Sequence, residues 1–195
     1  MIEYKIDITN GWLIWVPDFL VKIESDDLHD YFLKELSWQG GKVKLFGRTF
    51  EIPRKQVMFT DEGLHYGYSG KQLVSSDWDD EVLKIKKRIE QFSGFEFNAC
   101  LANLYRDGQD SNGWHADDEK ELGKNPIIAS VSLGATRNFH LKHKIINERK
   151  NIELTHGSLL IMGGETQRYW KHQIPKTKKV IDARVNLTFR KVFEI

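Results

Sequence analysis

Two stretches of the chain repeat apolar residues at the spacing of an amphipathic helix. The first follows Ser25, a residue type that favours the N-cap position. Its apolar residues recur every four positions, at Leu28, Phe32 and Leu36. The second is predicted to begin near Ser76 or Asp77 and to end before Gly94. Its apolar stripe consists of Val82, Ile85, Ile89 and Phe92. We expect both helices to support a core.

The rest of the chain consists of short runs rich in β-branched and aromatic residues, separated by Gly and Asn/Asp clusters. Residues 42–50 alternate in polarity on both sides of Gly47 and predict a hairpin. Further predicted strands cover residues 97–105, 127–133, 138–141, 152–154, 158–162 and 185–192. Many short strands in one block predict a mainly β fold, a sandwich or a double-stranded β-helix, with the two helices packed outside.

Length and composition favour a single ordinary globular domain. The chain has 195 residues, which is enough for one sizeable core. Its one cysteine, Cys100, excludes an intramolecular disulfide, and the chain lacks a run of about 20 apolar residues that would span a bilayer. The first residues lack the pattern of a secretory signal. We therefore expect a protein that is neither secreted nor membrane-bound: cytoplasmic in a bacterial host, nuclear in a eukaryotic one.

The net charge of +1 does not indicate a nucleic-acid partner, but the distribution of charge is uneven. Residues 42–55 hold five basic residues against one acid, and residues 168–179 hold five against none. Such stretches form either a local phosphate-binding surface or ordinary solvated loops. Charge alone leaves both interpretations open.

Three residues have the character of metal ligands. His115 and Asp117 are two positions apart, so an extended backbone places both side chains on one face, and His172 follows in another strand-like segment. Two neutral imidazoles and one carboxylate leave coordination positions open, which suits an Fe(II) ion that must also bind a cosubstrate and oxygen. A His-x-Asp pair alone is weak evidence, because a turn aspartate near an exposed histidine has the same pattern.

The C-terminal strand makes the metal site more specific. Residues 184–190 alternate polar with apolar residues, so one face carries Arg184, Asn186, Thr188 and Arg190. This is either an exposed basic sheet face or a surface on which a guanidinium binds a dicarboxylate through two hydrogen bonds. A neighbouring predicted strand offers the amide of Asn103 and the phenol of Tyr105.

Taken together, these residues resemble the AlkB family of nucleic-acid dealkylases, in particular its members that act on double-stranded DNA. The similarity extends from about residue 41 to residue 192. The segments that carry it are 53–56, 69–70, 103–105, 114–119, 129–135, 156–160, His172 and 184–190. The resemblance implies a jelly roll over residues 96–195, preceded over residues 1–95 by helices and hairpins that form an α/β nucleotide-recognition lid, within one domain of residues 1–195.

The resemblance also implies a reaction and a set of cofactor-binding residues. The reaction is oxidative demethylation of 1-methyladenine and 3-methylcytosine, with Fe(II), 2-oxoglutarate and O2. His115, Asp117 and His172 would bind the iron. Arg190 would hold the distal carboxylate of 2-oxoglutarate and Arg184 would assist at its metal-bound end. The pocket would be completed by Asn103, Tyr105 and Asn186.

The implied partner is DNA, double-stranded and with the methylated base flipped out, bound by a monomer. Tyr68 and His115 would sandwich the flipped base, while the acids Asp118 and Glu119 would meet its exocyclic amine and its cationic ring, because these methylated bases carry a positive charge. Phe46 would be a wedge in the base stack, although it could equally cover the core. Arg54 and Tyr66 complete the expected substrate contacts, and the unpaired strand would be read by Tyr66, Trp170 or neither.

Two departures from the family pattern leave the substrate open. Tyr68 stands where the duplex-acting relative has phenylalanine, and the turn at Gly163 and Gly164 is richer in glycine. An RNA or a protein side chain is therefore an alternative substrate. A nucleic-acid-binding β-sandwich without catalysis is an alternative from another class.

Overall fold

The structure is a computed structural model of the protein, and it describes residues 2–45, 48–64, 67–68, 71–72 and 75–193. The strands are β1 (Tyr4–Ile8), β2 (Gly11–Val16), β3 (Gln39–Leu45), β4 (Arg48–Thr60), β5 (Gly67–Tyr68), β6 (Lys71–Gln72), β7 (Ser75–Ser76), β8 (Ala99–Tyr105), β9 (Asn112–His115), β10 (Ile128–Gly134), β11 (Arg137–His143), β12 (Arg149–Leu154), β13 (Ser158–Gly163), β14 (Trp170–Ile174) and β15 (Arg184–Arg190). The helices are α1 (Lys22–Glu35), α2 (Asp80–Ser93) and the single turn α3 (Thr166–Tyr169), with a 3-10 turn at Lys120–Leu122. None of these helices combines the length and the apolar character that a membrane crossing requires.

Two antiparallel sheets form the body of the protein. The major sheet has the order β1-β2-β13-β10-β15-β8-β4-β3, with β7 added parallel to β4. The minor sheet has the order β12-β11-β14-β9, and β5 pairs with β6 apart from both. Strands from both sides of residue 95 therefore share one sheet, since β2 pairs with β13 and β4 pairs with β8. This architecture confirms the predicted mainly β jelly roll with flanking helices.

The major sheet is covered by apolar residues on both faces. On one face, Phe32 of α1 and Ile85 of α2 belong to the same buried cluster as Val185 and Leu187 of β15. On the other face, residues of β8 and β13 pack against the minor sheet through a second buried cluster. Strand β15 is thus buried on both sides, with its apolar side chains toward the helices. Its polar side chains therefore lie between the two sheets, where burial requires that they have partners.

The predicted N-cap of the first helix is wrong by four residues. Helix α1 begins at Lys22 with Val21 as the N-cap, and Ser25 is buried inside it, with its backbone N–H donating to the Val21 carbonyl at 2.9 Å. The predicted apolar stripe is confirmed, since Leu28, Phe32 and Leu36 are all buried. The hydroxyl of Ser25 faces the backbone of Gly157, so tertiary packing, and not capping, explains this serine.

The second helix also starts at a different residue than predicted. Helix α2 begins at Asp80, and the carboxylate of Asp79 accepts hydrogen bonds from the backbone N–H groups of Glu81 and Val82. Two aspartates, Asp77 and Asp79, precede this helix, and Asp79 is the cap because its carboxylate reaches these N–H groups. The predicted end is confirmed, because Gly94 adopts a left-handed conformation with φ of 74°.

The predicted hairpin is confirmed. Strands β3 and β4 pair in antiparallel register up to Leu45 and Arg48. The tip, Phe46 and Gly47, lies outside the described residues. Strands β1 and β2, which were not predicted, extend the major sheet by pairing with β13.

We expect Gly157→Ala to destabilise the protein by about 3 kcal/mol, and to lower its melting midpoint by roughly 6 to 12 °C. Gly157 has φ of +77°, and an added Cβ would lie 2.6 Å from the Ser25 hydroxyl and 2.7 Å from the Leu20 carbonyl oxygen. Gly63→Ala is the matched control, because Gly63 has the same φ of +77° and no atom of the described residues lies within 4 Å of the added Cβ. Gly63→Ala should lower the free energy of unfolding only by the backbone strain, about 1 kcal/mol. Equal shifts of the two midpoints in thermal unfolding would contradict the close packing of Gly157 against α1.

Candidate metal and cosubstrate site

Strand pairing brings the three predicted metal ligands together. In the antiparallel pair of β9 and β14, His115 lies directly opposite His172, and their ring centroids are 4.2 Å apart. Asp117 follows the end of β9 by two residues. One potential ligand atom from each of His115, Asp117 and His172 lies within 4.8 Å of the others. The predicted triad is therefore a compact cluster.

The two imidazoles and the carboxylate are in the protonation states that metal binding needs. Burial lowers the pKa of His172 to about 3 and also lowers the pKa of His115. Burial alone would raise the pKa of Asp117, but the charge of Arg190 and the two imidazoles outweigh it, and this pKa falls to about 2. At neutral pH the histidines are neutral and the aspartate is ionised.

The tautomer of His115 is set by the backbone of its own strand. Its Nδ1 lies 2.8 Å from the carbonyl oxygen of Gly113, which can only accept, so Nδ1 carries the proton. The Asn112 amide approaches Nε2 at 3.2 Å, in agreement with a lone pair on that atom. Nε2 also lies 3.7 Å from Oδ1 of Asp117. The imidazole therefore presents its metal-binding nitrogen to the carboxylate.

The cluster passes a simple test of fit for a cation. Oδ1 of Asp117 and Nδ1 of His172 are buried and have no hydrogen-bond partner among the described residues. Leaving a buried carboxylate oxygen without a donor is costly, and a cation next to it would satisfy it. The donor set of two imidazoles and one carboxylate matches the facial arrangement found for Fe(II).

Asp117 is held in place by two neighbours. Its backbone N–H donates to Oε1 of Gln167 at 2.9 Å, and its Oδ2 accepts from Nη2 of Arg190 at 2.9 Å. The Arg190–Asp117 ion pair is almost completely buried, with side-chain exposures of 3% and 2%. Such support outside the metal ligands fixes the orientation of a ligand and tunes its charge.

The polar face of β15 lines a cavity next to the triad. The cavity measures about 450 Å³ with its open mouth included. The triad contributes to its wall together with Asn103, Tyr105, Ser130, Arg184, Asn186, Thr188 and Arg190. The prediction that the polar residues of this strand share one face is confirmed, and that face is an interior surface.

Arg184 has the properties of a carboxylate-binding residue. It is buried, its Nη2 donates to the Ser132 hydroxyl at 2.9 Å, and its Nε and Nη1 find no acceptor within the described part of the chain. Its guanidinium carbon lies 5.2 Å from the ring centroid of Tyr105. Burial lowers the pKa of Arg184 to about 10, so the group stays charged at neutral pH. A buried cation with unsatisfied N–H donors requires an anion.

The contacts of the two arginines along β15 favour the opposite order of roles to the one that the resemblance implies. Arg190 contacts the metal ligand Asp117, whereas Arg184 lies at the other end of the strand, opposite Tyr105. If 2-oxoglutarate chelates a metal at the triad, Arg190 would lie at that end and Arg184 would be placed for the distal carboxylate. Alternation along a strand shows which residues share a face, but not which end of the face meets the metal.

Comparison with known proteins identifies the family. A family model described as the 2OG-Fe(II) oxygenase superfamily matches residues 12–190 of this chain. This chain belongs to that superfamily. As members of it do, the protein uses Fe(II), 2-oxoglutarate and O2.

Within the superfamily, this oxygenase is an AlkB-family member close to ALKBH2. It is 39% identical to the human protein named DNA oxidative demethylase ALKBH2, over 88% of this chain and 70% of that protein. It is 38% identical to human alkB homolog 3, named an alpha-ketoglutarate-dependent dioxygenase, over 91% of this chain and 65% of that protein. The chain thus spans about two thirds of the length of these relatives. The solved structure of OsALKBH1 matches its fold with a TM-score of 0.62 at 20% identity, covering 92% of this chain and 97% of the other.

Of the predicted substrate-binding residues, the two acids that follow Asp117 differ in exposure. Asp118 lies at the surface with 60% of its side chain exposed, where its carboxylate accepts from Lys144 at 3.3 Å, while Glu119 is half-buried. Phe46 and Tyr66 lie outside the described residues, as does the side chain of Tyr68.

Burial excludes one open candidate for a substrate contact and disfavours one predicted contact. Trp170 is wholly buried and its indole N–H donates to the Thr9 carbonyl at 2.8 Å, so it is excluded as a reader of the unpaired strand. Arg54 is buried as well, with its Nε donating to Oδ1 of Asn103 at 2.9 Å. Arg54 therefore holds Asn103, a residue of the cavity wall. This geometry disfavours the predicted direct contact of Arg54 with nucleic acid.

Sequence reasoning missed several residues that build the oxygenase site. The hydroxyl of Ser130 accepts a hydrogen bond from Nδ2 of Asn186 at 2.8 Å. In the same way, the hydroxyl of Ser132 accepts a hydrogen bond from Arg184. These serines alternate with Ala129, Val131 and Leu133, the same pattern that revealed β15, so this signal could have found them. Gln167 carries no such signal, because it reaches Asp117 from a single helical turn distant in sequence.

Proposed function

We propose that this oxygenase removes the methyl group from 1-methyladenine and 3-methylcytosine in DNA, as a direct reversal of alkylation damage. The observation that carries the proposal is an intact metal and cosubstrate site in a chain that is 39% identical to a DNA oxidative demethylase over 88% of its length. An RNA or peptide substrate would use the same site, so the choice of DNA rests on this similarity.

The residues of the chain have separate tasks in this reaction. His115, Asp117 and His172 would hold the metal, Arg190 keeps Asp117 ionised, and Arg184 would bind the distal carboxylate of 2-oxoglutarate. With iron bound, the site supplies oxygen activation coupled to decarboxylation of 2-oxoglutarate, and one oxygen atom enters a C–H bond of the substrate. The hydroxylated N-methyl group then leaves as formaldehyde. Apolar residues of the cavity wall exclude water from this region: Leu101, Phe139, Leu154 and Met162.

The acid next to a metal ligand supports a cationic substrate. Asp118 directly follows a metal ligand, and its carboxylate is paired with Lys144 in the structure. A 1-methyladenine or 3-methylcytosine ring carries the positive charge that such a carboxylate can bind, while the unmethylated bases are neutral. We propose that the methylated base takes the place of the Lys144 ammonium group.

The test is the release of formaldehyde from methylated substrates, measured with iron, 2-oxoglutarate and oxygen. The set comprises 1-methyladenine and 3-methylcytosine in duplex DNA, in single-stranded DNA and in RNA, together with a methyl-lysine peptide. We expect formaldehyde from the DNA substrates, in equal amount to the succinate formed. Release from the peptide or the RNA alone would overturn the proposal.

We also propose that the enzyme acts on duplex DNA, with the base flipped out, as a monomer. The hairpin of β3 and β4 supports this, since in the sequence its tip carries Phe46 between Lys44 and Arg48. Apolar wedges of this kind occupy the gap that a flipped base leaves, and flanking cations bind phosphates. All residues of the metal and cosubstrate site belong to one chain, so the reaction needs no second copy.

Replacing Phe46 with alanine should lower kcat/KM on a methylated duplex about tenfold or more, and change it less than about threefold on a single strand. The single strand needs no wedge, because its base is already unpaired. Phe50→Ala is the matched control, since Phe50 lies on the same hairpin with 48% of its surface exposed. An equal loss on duplex and single strand would mean that Phe46 supports the fold, and that the wedge is absent.

A further inference from the structure

A row of amides crosses the major sheet and ends in the cosubstrate cavity. In the register of the sheet, Gln39 of β3 lies opposite Gln56 of β4, Gln56 lies opposite Asn103 of β8, and Asn103 lies opposite Asn186 of β15. Asn103 and Asn186 line the cavity. Gln56 lies behind them and is buried. The hairpin of β3 and β4 is therefore joined to the cavity wall through the pairing of β4 with β8.

The orientation of the Asn103 amide is determined by its neighbours on β4. Oδ1 of Asn103 accepts from Nε of Arg54 at 2.9 Å and from Nε2 of Gln56 at 2.9 Å. A guanidinium has N–H donors and no acceptor, so the atom of Asn103 that faces it must be the oxygen. The NH2 group of Asn103 is then directed away from β4, and its one hydrogen bond, to the Leu101 carbonyl oxygen, is long at 3.5 Å.

This orientation decides which ligand chemistry the cavity accepts at this point. An amide NH2 in the wall donates to a carboxylate oxygen, whereas a flipped amide would place its own oxygen against the anion. A flip would also leave two buried donors, from Arg54 and Gln56, without an acceptor, which costs free energy. The network therefore holds Asn103 in the state that favours a bound anion.

We propose that Gln56 and Arg54 are positioning residues for 2-oxoglutarate, which act by fixing the Asn103 amide with its NH2 group toward the cosubstrate. They do not touch the cosubstrate themselves. This inference needs only the oxygenase chemistry of the site and is independent of the proposed DNA substrate.

The test is the affinity of the Mn(II)-loaded protein for 2-oxoglutarate, measured by titration calorimetry without oxygen. Gln56→Glu replaces the donor with an acceptor of the same shape and favours the flipped amide. We expect its dissociation constant for 2-oxoglutarate to rise about tenfold or more, with the affinity for Mn(II) unchanged. Gln56→Met removes the donor and leaves Arg54 in place, so a smaller rise, about two- to fivefold, is expected.

Two controls separate positioning from charge and from stability. Gln39→Glu introduces the same charge one strand further from Asn103, on an exposed residue, and should leave the affinity for 2-oxoglutarate unchanged. In an Asn103→Ala background, the Gln56 substitutions should have no further effect on this affinity, because they act through Asn103. Thermal unfolding of each variant reports on the fold.

Three results would overturn the proposal. One is a dissociation constant of Gln56→Glu within twofold of the wild type. Another is an equal shift for Gln39→Glu. The third is a loss that persists in the Asn103→Ala background, which would show that Gln56 acts on the cavity by another route. If Gln56→Glu does not fold, the comparison of Gln56→Met with and without Asn103→Ala decides the question.

Discussion

Replacing His172 with alanine is expected to abolish iron binding and to lower formaldehyde release at least about a thousandfold. The physical reason is the geometry of the triad. His172 is one of three residues whose ligand atoms lie within 4.8 Å of one another, and it faces His115 across a strand pair. Without it, only one imidazole and one carboxylate remain, too few to hold an ion against solvent. Metal content after dialysis and formaldehyde release from a 1-methyladenine oligonucleotide measure the two effects.

The same sheet provides a matched control for this substitution. His140 lies on β11, next to β14, with its ring near the Gln173 amide at 3.5 Å and outside the metal cluster. His140→Ala should bind iron and release formaldehyde as the wild type does. Retention of methyl removal by a folded His172→Ala variant would refute the assignment of the metal ligands.

Arg184→Gln should raise the dissociation constant for 2-oxoglutarate about a hundredfold and leave Mn(II) binding close to that of the wild type. Its guanidinium is buried and charged, and two of its nitrogen atoms have no acceptor among the described residues, so it is available for a bidentate bond to a carboxylate. Charge-assisted hydrogen bonds of this kind contribute about 1.5–3 kcal/mol each. Calorimetric titration of the Mn(II)-loaded protein with 2-oxoglutarate measures the effect.

Arg190→Gln should have a different signature, because Arg190 donates to Asp117 at 2.9 Å inside the protein. Removing its charge raises the pKa of Asp117 and loosens its orientation, so the affinity for Mn(II) itself should fall. Arg149→Gln, an exposed change on β12, should alter neither affinity. If Arg190→Gln impaired only 2-oxoglutarate binding while Arg184→Gln impaired metal binding, the order of the two arginines along β15 would be the reverse of the one assigned here.

Much of the site could be predicted because its residues follow a short periodicity. The alternation of residues 184–190 places four polar side chains on one face in any extended conformation, and the two-residue spacing of His115 and Asp117 does the same for two ligands. These patterns depend only on backbone geometry within a single segment. The pairing of β9 with β14, which brings His172 opposite His115, links distant segments and needed the folded sheet.

The ends of the helices were less predictable because several residues in each region could cap. Ser25 has a favourable side chain for an N-cap, yet packing against Gly157 places it inside α1. Before α2, the side chains of Ser76, Asp77 and Asp79 all favour the N-cap position, and hydrogen-bond geometry selects Asp79. The local preferences of such candidate residues differ by only fractions of a kcal/mol, so tertiary contacts decide at which residue the helix begins.

The amino-acid sequence by itself determined the chemistry available to this protein: the metal ligands, the interior polar face of β15 and the membership of an oxygenase family. Only the tertiary structure decided which neighbouring residues hold and orient these side chains. It paired Arg190 with Asp117, placed Arg184 opposite Tyr105, buried Trp170 and Arg54, and turned Oδ1 of Asn103 toward Arg54 and Gln56. The reason is physical. Periodicity fixes which side of a strand a residue occupies, but the neighbours that give a charge or an amide its orientation come from other strands, and those are chosen by packing.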